Sequence, residues 1–505
     1  MLKNPVIAAL RRHAQRQGEV VALRDNYAAL TYSELAAAVH SLANWIRGED
    51  CQCIALDCGS GIAWAIADLA AMDADVSLVP LPGFFTDEQV HHALTTAKVD
   101  RVLADRDHLA RWSLLPGVSV MQGLTAFVLE QDLRQASALL PSCGCKITFT
   151  SGSTGTPRGV VLTNETLATC AEGIVRALSP LKPRRHLSVL PLATLLENIA
   201  GLYAPLLHGS EVFLPDERST GLTGASLDIE RFAALLDGAQ ADSIILVPQL
   251  LMTLVTLVEL GLVALPSLQM IAVGGGRVSH QLLERSAALG LPVCEGYGLS
   301  ECASVLTLNL PGASRMGSVG RPLSHSRIRV DEHGEILVRT PRMVGYLGVE
   351  PGDSDWYSTG DLGHFDDDGF LYIDGRRRNV FIPSYGHIVN PKWPEAALTQ
   401  HPAVAQALVW GEAQPHNLAL LWLRYSQDEE QVSQLVDTAN AELPDYARIH
   451  QWIVVEGLPD TELQTSNGRL RRSAVLTRYG ALINEHYDRH VSDFSYYERR
   501  RHAVL

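Results

Sequence analysis

The sequence predicts an α/β protein, with a large N-terminal domain of parallel α/β sheets, a β subdomain, and a small α+β C-terminal domain. Three observations carry this. Short apolar runs such as "CIALDC", "DVSLVPL" and "RVLAD" alternate with helical patterns such as "GIAWAIADLAAM", the rhythm of a parallel sheet covered by helices. From about Ser318 the texture becomes two-residue alternation broken by His-Gly and Asp-Gly turns, in "RIRVDEHGEILVRTP" and "GHFDDDGFLYIDGR", which reads as antiparallel hairpins. After "DGRRRN" the apolar strands "AQALVWG" and "LALLWLRY" and the helical "DEEQVSQLVDTANAEL" read as a compact unit of their own. The expected domains are therefore residues 1–377 and 378–505.

Composition agrees with a folded chain. Of 505 residues 47% are hydrophobic and 19% charged, enough apolar surface for sizeable cores. The 41 basic and 56 acidic side chains leave a formal charge of −15, which excludes a general polyanion-binding surface and a nucleic-acid partner. Any phosphate ligand must be held locally. The eight cysteines include no C-x-x-C pair, so reduced thiols are expected. The start "MLKNPVIAALRRHAQRQ" lacks the apolar run of a signal peptide, and a cytoplasmic protein is expected.

One stretch, "IILVPQLLMTLVTLVELGLVAL" from Ile244 to Leu265, is apolar over about the 20 residues that span a bilayer. Pro248 and Gln249 break it early and Glu259 late. A buried strand "SIILV" followed by a core helix explains the pattern, and no transmembrane segment is expected.

The stretch "TFTSGSTGTPRGVVLT", residues 148 to 163, joins two strand patterns, so its loop is held at both ends and is no linker. Asn164 is placed to cap a following helix with Leu167, Cys170, Ala171, Ile174, Val175 and Leu178 on its apolar face. Gly152, Gly155 and Gly159 let the main chain approach an anion, while Ser151, Ser153, Thr154 and Thr156 add hydroxyl donors and Arg158 a fixed charge. The spacing matches neither the P-loop nor the dinucleotide fingerprint, which also removes a Rossmann oxidoreductase. Taken alone, the stretch serves equally well as a structural turn or a phosphate cradle.

Further motifs break the tie. The stretch resembles the phosphate-loop signature of the adenylate-forming superfamily, which includes acyl-CoA synthetases, the adenylation domains of peptide synthetases, and luciferases. The resemblance runs along nearly the whole chain: "LTYSELAAAVHSLANWI" (30–46), "LPLATLLENIAGLYAPLLHGSEV" (190–212), "GGG" (274–276), "YGLSE" (297–301), "GSVGRPL" (317–323), "YSTGD" (357–361), "GR" (375–376) and "NGRLRR" (467–472), all in family order.

The resemblance implies attack of a carboxylate on the α-phosphate of ATP, giving an acyl adenylate and pyrophosphate, then capture of the acyl group by a thiol, CoA being the commonest acceptor. It implies that Thr150, Ser151, Gly152, Ser153, Thr154, Gly155 and Arg158 hold the β and γ phosphates and that Ser300 helps hold the α-phosphate. Glu301 resembles the family's magnesium carboxylate. Asp361 would accept hydrogen bonds from the ribose hydroxyls with Arg376 assisting, Tyr297 and Gly298 would meet adenine, and Gly274, Gly275 and Gly276 would let a flat group approach the backbone. Thr194, Leu195, Glu197 and Asn198 would line the acyl pocket, and a small mobile C-terminal domain would turn about Arg378. The implied partners are ATP, Mg2+, a carboxylic acid and CoA, with an acyl carrier protein or an amine as the alternative acceptor.

Three positions depart from the family pattern. The loop lysine is Arg158, the C-terminal catalytic lysine is Arg469, and the hinge aspartate or lysine is Arg378. Arg469 keeps open a different class, a relative that binds nucleotide or acyl ligand without turnover. No aspartate stands between Leu190 and Gly201 to pair with an α-ammonium, so a fatty or aryl acid is favoured over an amino acid.

Overall fold

The computed structural model describes residues 4–113, 115–129, 144–150, 157–223, 226–349, 354–377, 389–412, 414, 416–465 and 468–490. The chain divides into two compact units between Ile373 and Asp374. The division falls inside the Leu371–Arg376 strand, a few residues ahead of Arg378, which lies outside the described residues.

Two large sheets organise the first unit. In the eight-stranded sheet, Cys145–Thr150, Ser77–Pro80, Cys53–Asp57 and Arg101–Ala104 run parallel. Every residue of Cys53–Asp57 and Ser77–Pro80 is buried, as strands covered on both faces must be. In the nine-stranded sheet the parallel run extends from Val293–Tyr297 through Met270–Val273, Ser243–Leu246, Arg185–Leu187 and Glu211–Phe213 to Val21–Arg24. Each sheet is parallel through its centre and mixed at its edges. Antiparallel hairpins extend both edges, including Arg158–Thr163 and Gly345–Tyr346 beside Cys145–Thr150.

The helices Pro5–Arg16, Tyr32–Gly48, Ile62–Ala74 and Asn164–Leu178 fill the space between the sheets and share one apolar core with side chains of both, such as Leu56 and Val212. Asp87–Thr96 covers the outer face of the first sheet. Ile229–Ala239, Pro248–Glu259 and His280–Ala288 cover that of the second, giving five alternating layers. The apolar Ile244–Leu265 stretch divides as its proline demands, into the strand and the helix that Pro248 begins. Among the described residues no helix is long and apolar enough to cross a membrane. Thr163, not Asn164, caps the helix after the phosphate stretch, its Oγ1 accepting from Thr166 N at 3.1 Å.

The β subdomain has its own four-stranded sheet, Arg327–Val330, Glu335–Arg339, Tyr357–Phe365 and Leu371–Arg376, with the hairpins the alternation predicts. It begins later than Ser318, because Arg321–Pro322 still pairs with Thr307–Leu308 in the large sheet. In the second unit Val404–Trp410, Asn417–Leu423 and Ile449–Val455 form a three-stranded sheet. Alternation along Asn417–Leu423 sends Ala419 and Leu421 toward the helices Lys392–Thr399 and Glu429–Ala441, and Leu418, Leu420 and Trp422 toward Arg472–His490.

Candidate active site

Met270–Val273 and Val293–Tyr297 are parallel neighbours with Val273 in register with Glu295. Gly274–Gly276 and Tyr297–Gly298 therefore leave the sheet together at its carboxyl edge, where open α/β sheets hold ligands. Gly275 has φ +76°, a conformation that favours glycine. A Cβ on Gly274 would lie 3.3 Å from Leu196, and one on Gly276 3.3 Å from Pro248, so this turn lies against the "PLATLLEN" segment and the helix beginning at Pro248.

Gly298 is glycine for a reason internal to the fold. A Cβ there would fall 1.4 Å from the carbonyl oxygen of Ser304. The chain doubles back between these residues, presents Ser300 and Glu301 on a single 3-10 turn, and closes through Ala303 at φ +55° and Ser304 at φ +82°. Two consecutive non-glycine residues in the left-handed region mark a strained turn held by its surroundings.

Tyr297 and Asp361 are brought together. The Tyr297 hydroxyl donates to Asp361 Oδ2 at 2.7 Å, and Asp361 is only 4% exposed.

Thr150 and Arg158 face each other across the antiparallel pair that flanks the phosphate loop, Thr150 Oγ1 lying 3.5 Å from the Arg158 carbonyl. Ser151, Gly152, Ser153, Thr154 and Gly155 lie outside the described residues. The Arg158 guanidinium stacks on the Tyr346 ring at 3.6 Å, and the Tyr346 hydroxyl donates to Glu301 Oε1 at 2.6 Å. Burial first, and then the bond to Glu301, raise the Tyr346 pKa above the ordinary phenol value, so the hydroxyl stays a donor. Sequence reasoning missed Tyr346; "GY" at 345–346 is a sequence signal without evident chemistry.

Glu301 Oε2 makes no hydrogen bond to the described residues, and these contain no cluster of three or more His, Cys, Asp or Glu side chains. A single open carboxylate fits magnesium, a hard cation held in nucleotide sites by one or two carboxylates, phosphate oxygens and water.

The acyl-pocket expectation is corrected in part. Thr194 Oγ1 donates to the Pro191 carbonyl at 2.6 Å, and Leu195 is 6% exposed. Glu197 and Asn198 are buried inside the core. Asn198 accepts from Lys146 and donates to Asp68 at 3.2 Å, and Glu197 Oε1 lies 3.1 Å from His186 Nε2. The cause is a wide π-helical turn over Glu197–Tyr203, with Gly201 leaving room where a Cβ would strike Glu197.

In the second unit, Arg376 ends the Leu371–Arg376 strand. Arg469 follows Gly468, at φ +74°, in a loop where Arg469 N donates to Thr465 Oγ1 at 3.1 Å. Desolvation of its guanidinium and the positive charge of Arg376 lower its proton affinity, yet arginine remains charged at any working pH. Arg376 and Arg469 are thus electrostatic neighbours.

Residues 10–347 match the AMP-binding enzyme family, and residues 379–491 match the AMP-binding enzyme C-terminal domain. The chain belongs to the AMP-binding enzyme family. The 2-succinylbenzoate–CoA ligase of Bacillus licheniformis is 33% identical over 313 residues, 57% of this chain and 62% of that enzyme. That of Bacillus velezensis is 28% identical over 411 residues, 77% of this chain and 76% of that enzyme. Thus the match spans under two thirds of the first relative and about three quarters of the second. Among solved structures, the o-succinylbenzoate coenzyme A synthetase of Bacillus subtilis in complex with ATP and magnesium ion has a TM-score of 0.72 at 23% identity, covering 92% of this chain and 98% of that one. The AMP-binding fold expected from the motifs, a large α/β domain with a smaller C-terminal domain, is borne out, and the relatives named are acid–thiol ligases.

Proposed function

We propose that this AMP-binding enzyme activates an aryl carboxylic acid with ATP and magnesium, releases pyrophosphate, and transfers the acyl group from the adenylate to CoA. The observation that carries the reading is the grouping of Arg158, Tyr346 and Glu301, supported by the Tyr297–Asp361 pair at the carboxyl edge of the nine-stranded sheet. The 2-succinylbenzoate–CoA ligases among its relatives support an aryl acid over a fatty acid.

Arg158 and Thr150 bind the outer phosphates together with the loop between them, Ser300 the α-phosphate, and Asp361 the ribose hydroxyls. Glu301 would hold magnesium, which would supply neutralisation of the charge on the departing pyrophosphate. Arg469 takes the place of the usual lysine, presenting a fixed charge to the carboxylate and the α-phosphate, with the second unit as the mobile domain turning near Arg378. Positioning and charge neutralisation supply most of the rate in such a transfer. Burial raises the thiol of Cys51 to about 11 and of Cys170 to about 12, so these cysteines are inert packing groups, in keeping with a cytoplasmic enzyme.

The test is acid-dependent pyrophosphate release with ATP and magnesium across 2-succinylbenzoate, other aryl acids, fatty acids and amino acids, with and without CoA. Release with aryl acids and CoA thioester formation are expected. Silence across the panel while ATP still binds would return the non-catalytic reading, and release with fatty acids alone would replace the aryl assignment.

A further inference from the structure

Tyr346 stands between two charged groups that phosphate binding requires. Its ring face carries the Arg158 guanidinium and its hydroxyl is spent on Glu301 Oε1. Its own place is fixed on two sides. Gly345 pairs with Val161 and Tyr346 with Val160, tying it to the strand that Arg158 opens. Met343 N donates to the Glu301 carbonyl at 2.7 Å, so the same short segment also holds the Ser300–Cys302 turn.

We propose that Tyr346 is a positioning residue that sets Arg158 and Glu301 relative to each other, so that a magnesium-bound triphosphate meets the guanidinium and the carboxylate already in place. Stacking occupies the face of the guanidinium and leaves its edge N–H groups to fork onto phosphate oxygens. The hydroxyl occupies Oε1 and aims Oε2, the way outer hydrogen bonds orient metal-binding carboxylates. A lysine at 158 would not use the ring in this way, since a point ammonium lacks the planar face, and this gives the departure from the family's lysine a structural role. The inference rests on the nucleotide-binding part of the reading above.

The experiment is ATP binding by titration calorimetry on the full chain without any acid, once in EDTA and once in saturating magnesium. Tyr346→Phe keeps the ring and loses the hydroxyl. It is expected to retain metal-free ATP affinity while the gain in affinity from magnesium falls about 10-fold. Tyr346→Leu should in addition weaken metal-free binding by about 2- to 5-fold. Arg158→Lys should weaken it to a similar extent in the wild-type background and no further in the Tyr346→Leu background. Full magnesium enhancement in Tyr346→Phe, additive losses at 158 and 346, or equal losses with and without metal that track a falling Tm would each overturn the proposal. Because no acid is present, these results stand apart from the ligase reading. Binding as expected with no pyrophosphate released from any acid would sink the ligase assignment alone, and a wild-type chain that binds no ATP would sink both.

Discussion

The Tyr297 hydroxyl donates to the buried carboxylate of Asp361 at 2.7 Å, joining the end of a parallel strand to a strand of the β subdomain. Two motifs 64 residues apart thus form one unit. Tyr297→Phe removes a donor from a buried acceptor and should cost about 1–3 kcal/mol, read by urea unfolding. Asp361→Ala should remove ATP binding in calorimetry; a variant that binds ATP as well as wild type would refute the ribose assignment.

The approach of Gly298 to the Ser304 carbonyl sets a sharper expectation. Gly298→Ala forces apart the two ends of the turn that carries Ser300 and Glu301. Acid-dependent pyrophosphate release should fall by about 100-fold or more, the scale of a 1 Å misplacement at a reacting site. Gly274→Ala meets only the end of Leu196 at 3.3 Å and should leave the Tm within a few degrees of wild type.

Lys146 sits in the core with its Nζ 2.5 Å from Asp68 Oδ1 and 2.7 Å from the Tyr203 hydroxyl, and it also donates to Asn198. Desolvation lowers its pKa and Asp68 opposes the shift. Lys146→Met leaves an uncompensated buried carboxylate and should cost about 3–5 kcal/mol in urea unfolding at pH 7. A Lys146→Met/Asp68→Asn double variant should recover part of the loss because no buried charge remains. If the double variant is as unstable as the single one, packing rather than charge dominates this site.

Glu295, on the strand that ends at Tyr297, has its pKa raised from 4.5 to about 7 by burial, opposed by the Gly317 N–H and Arg277. The folded value exceeds the unfolded one, so the neutral acid is favoured by folding. The corresponding stability is complete below about pH 4.5 and is lost as pH rises through about 7. Glu295→Gln stays neutral and should be more stable than wild type at pH 8, by roughly 3 kcal/mol, with the difference vanishing toward pH 4.5. A difference independent of pH across thermal melts would show that Glu295 does not titrate as stated.

Much of the fold was legible because its signals are local. Pro248 ended one apolar strand and began a helix, and the Asp-Gly and His-Gly turns announced the hairpins of the β subdomain. Cap choice was nearly legible: two adjacent residues, Thr163 and Asn164, both suit the position, and the register of the preceding strand selected Thr163. The antiparallel additions at the sheet edges were not legible, since they depend on which hairpins find an open strand. Glu197 and Asn198 were misplaced for a similar reason. The resemblance placed them at a pocket, but the π-helical turn sends both into the core, where Lys146 and Asp68 bond Asn198, His186 meets Glu197 Oε1, and Glu197 Oε2 has no partner among the described residues.

The sequence by itself determined the AMP-binding family, the order of its motifs and the residue types present at each, because motifs are contiguous and are recognised by their resemblance to the family's signatures. Only the tertiary structure decided which side chains share a contact. The stack of Arg158 on Tyr346, the bond from Tyr346 to Glu301 and the bond from Tyr297 to Asp361 each join residues brought close by strand pairing and turn geometry. Such contacts depend on distances set by packing the whole unit, and no local pattern encodes them.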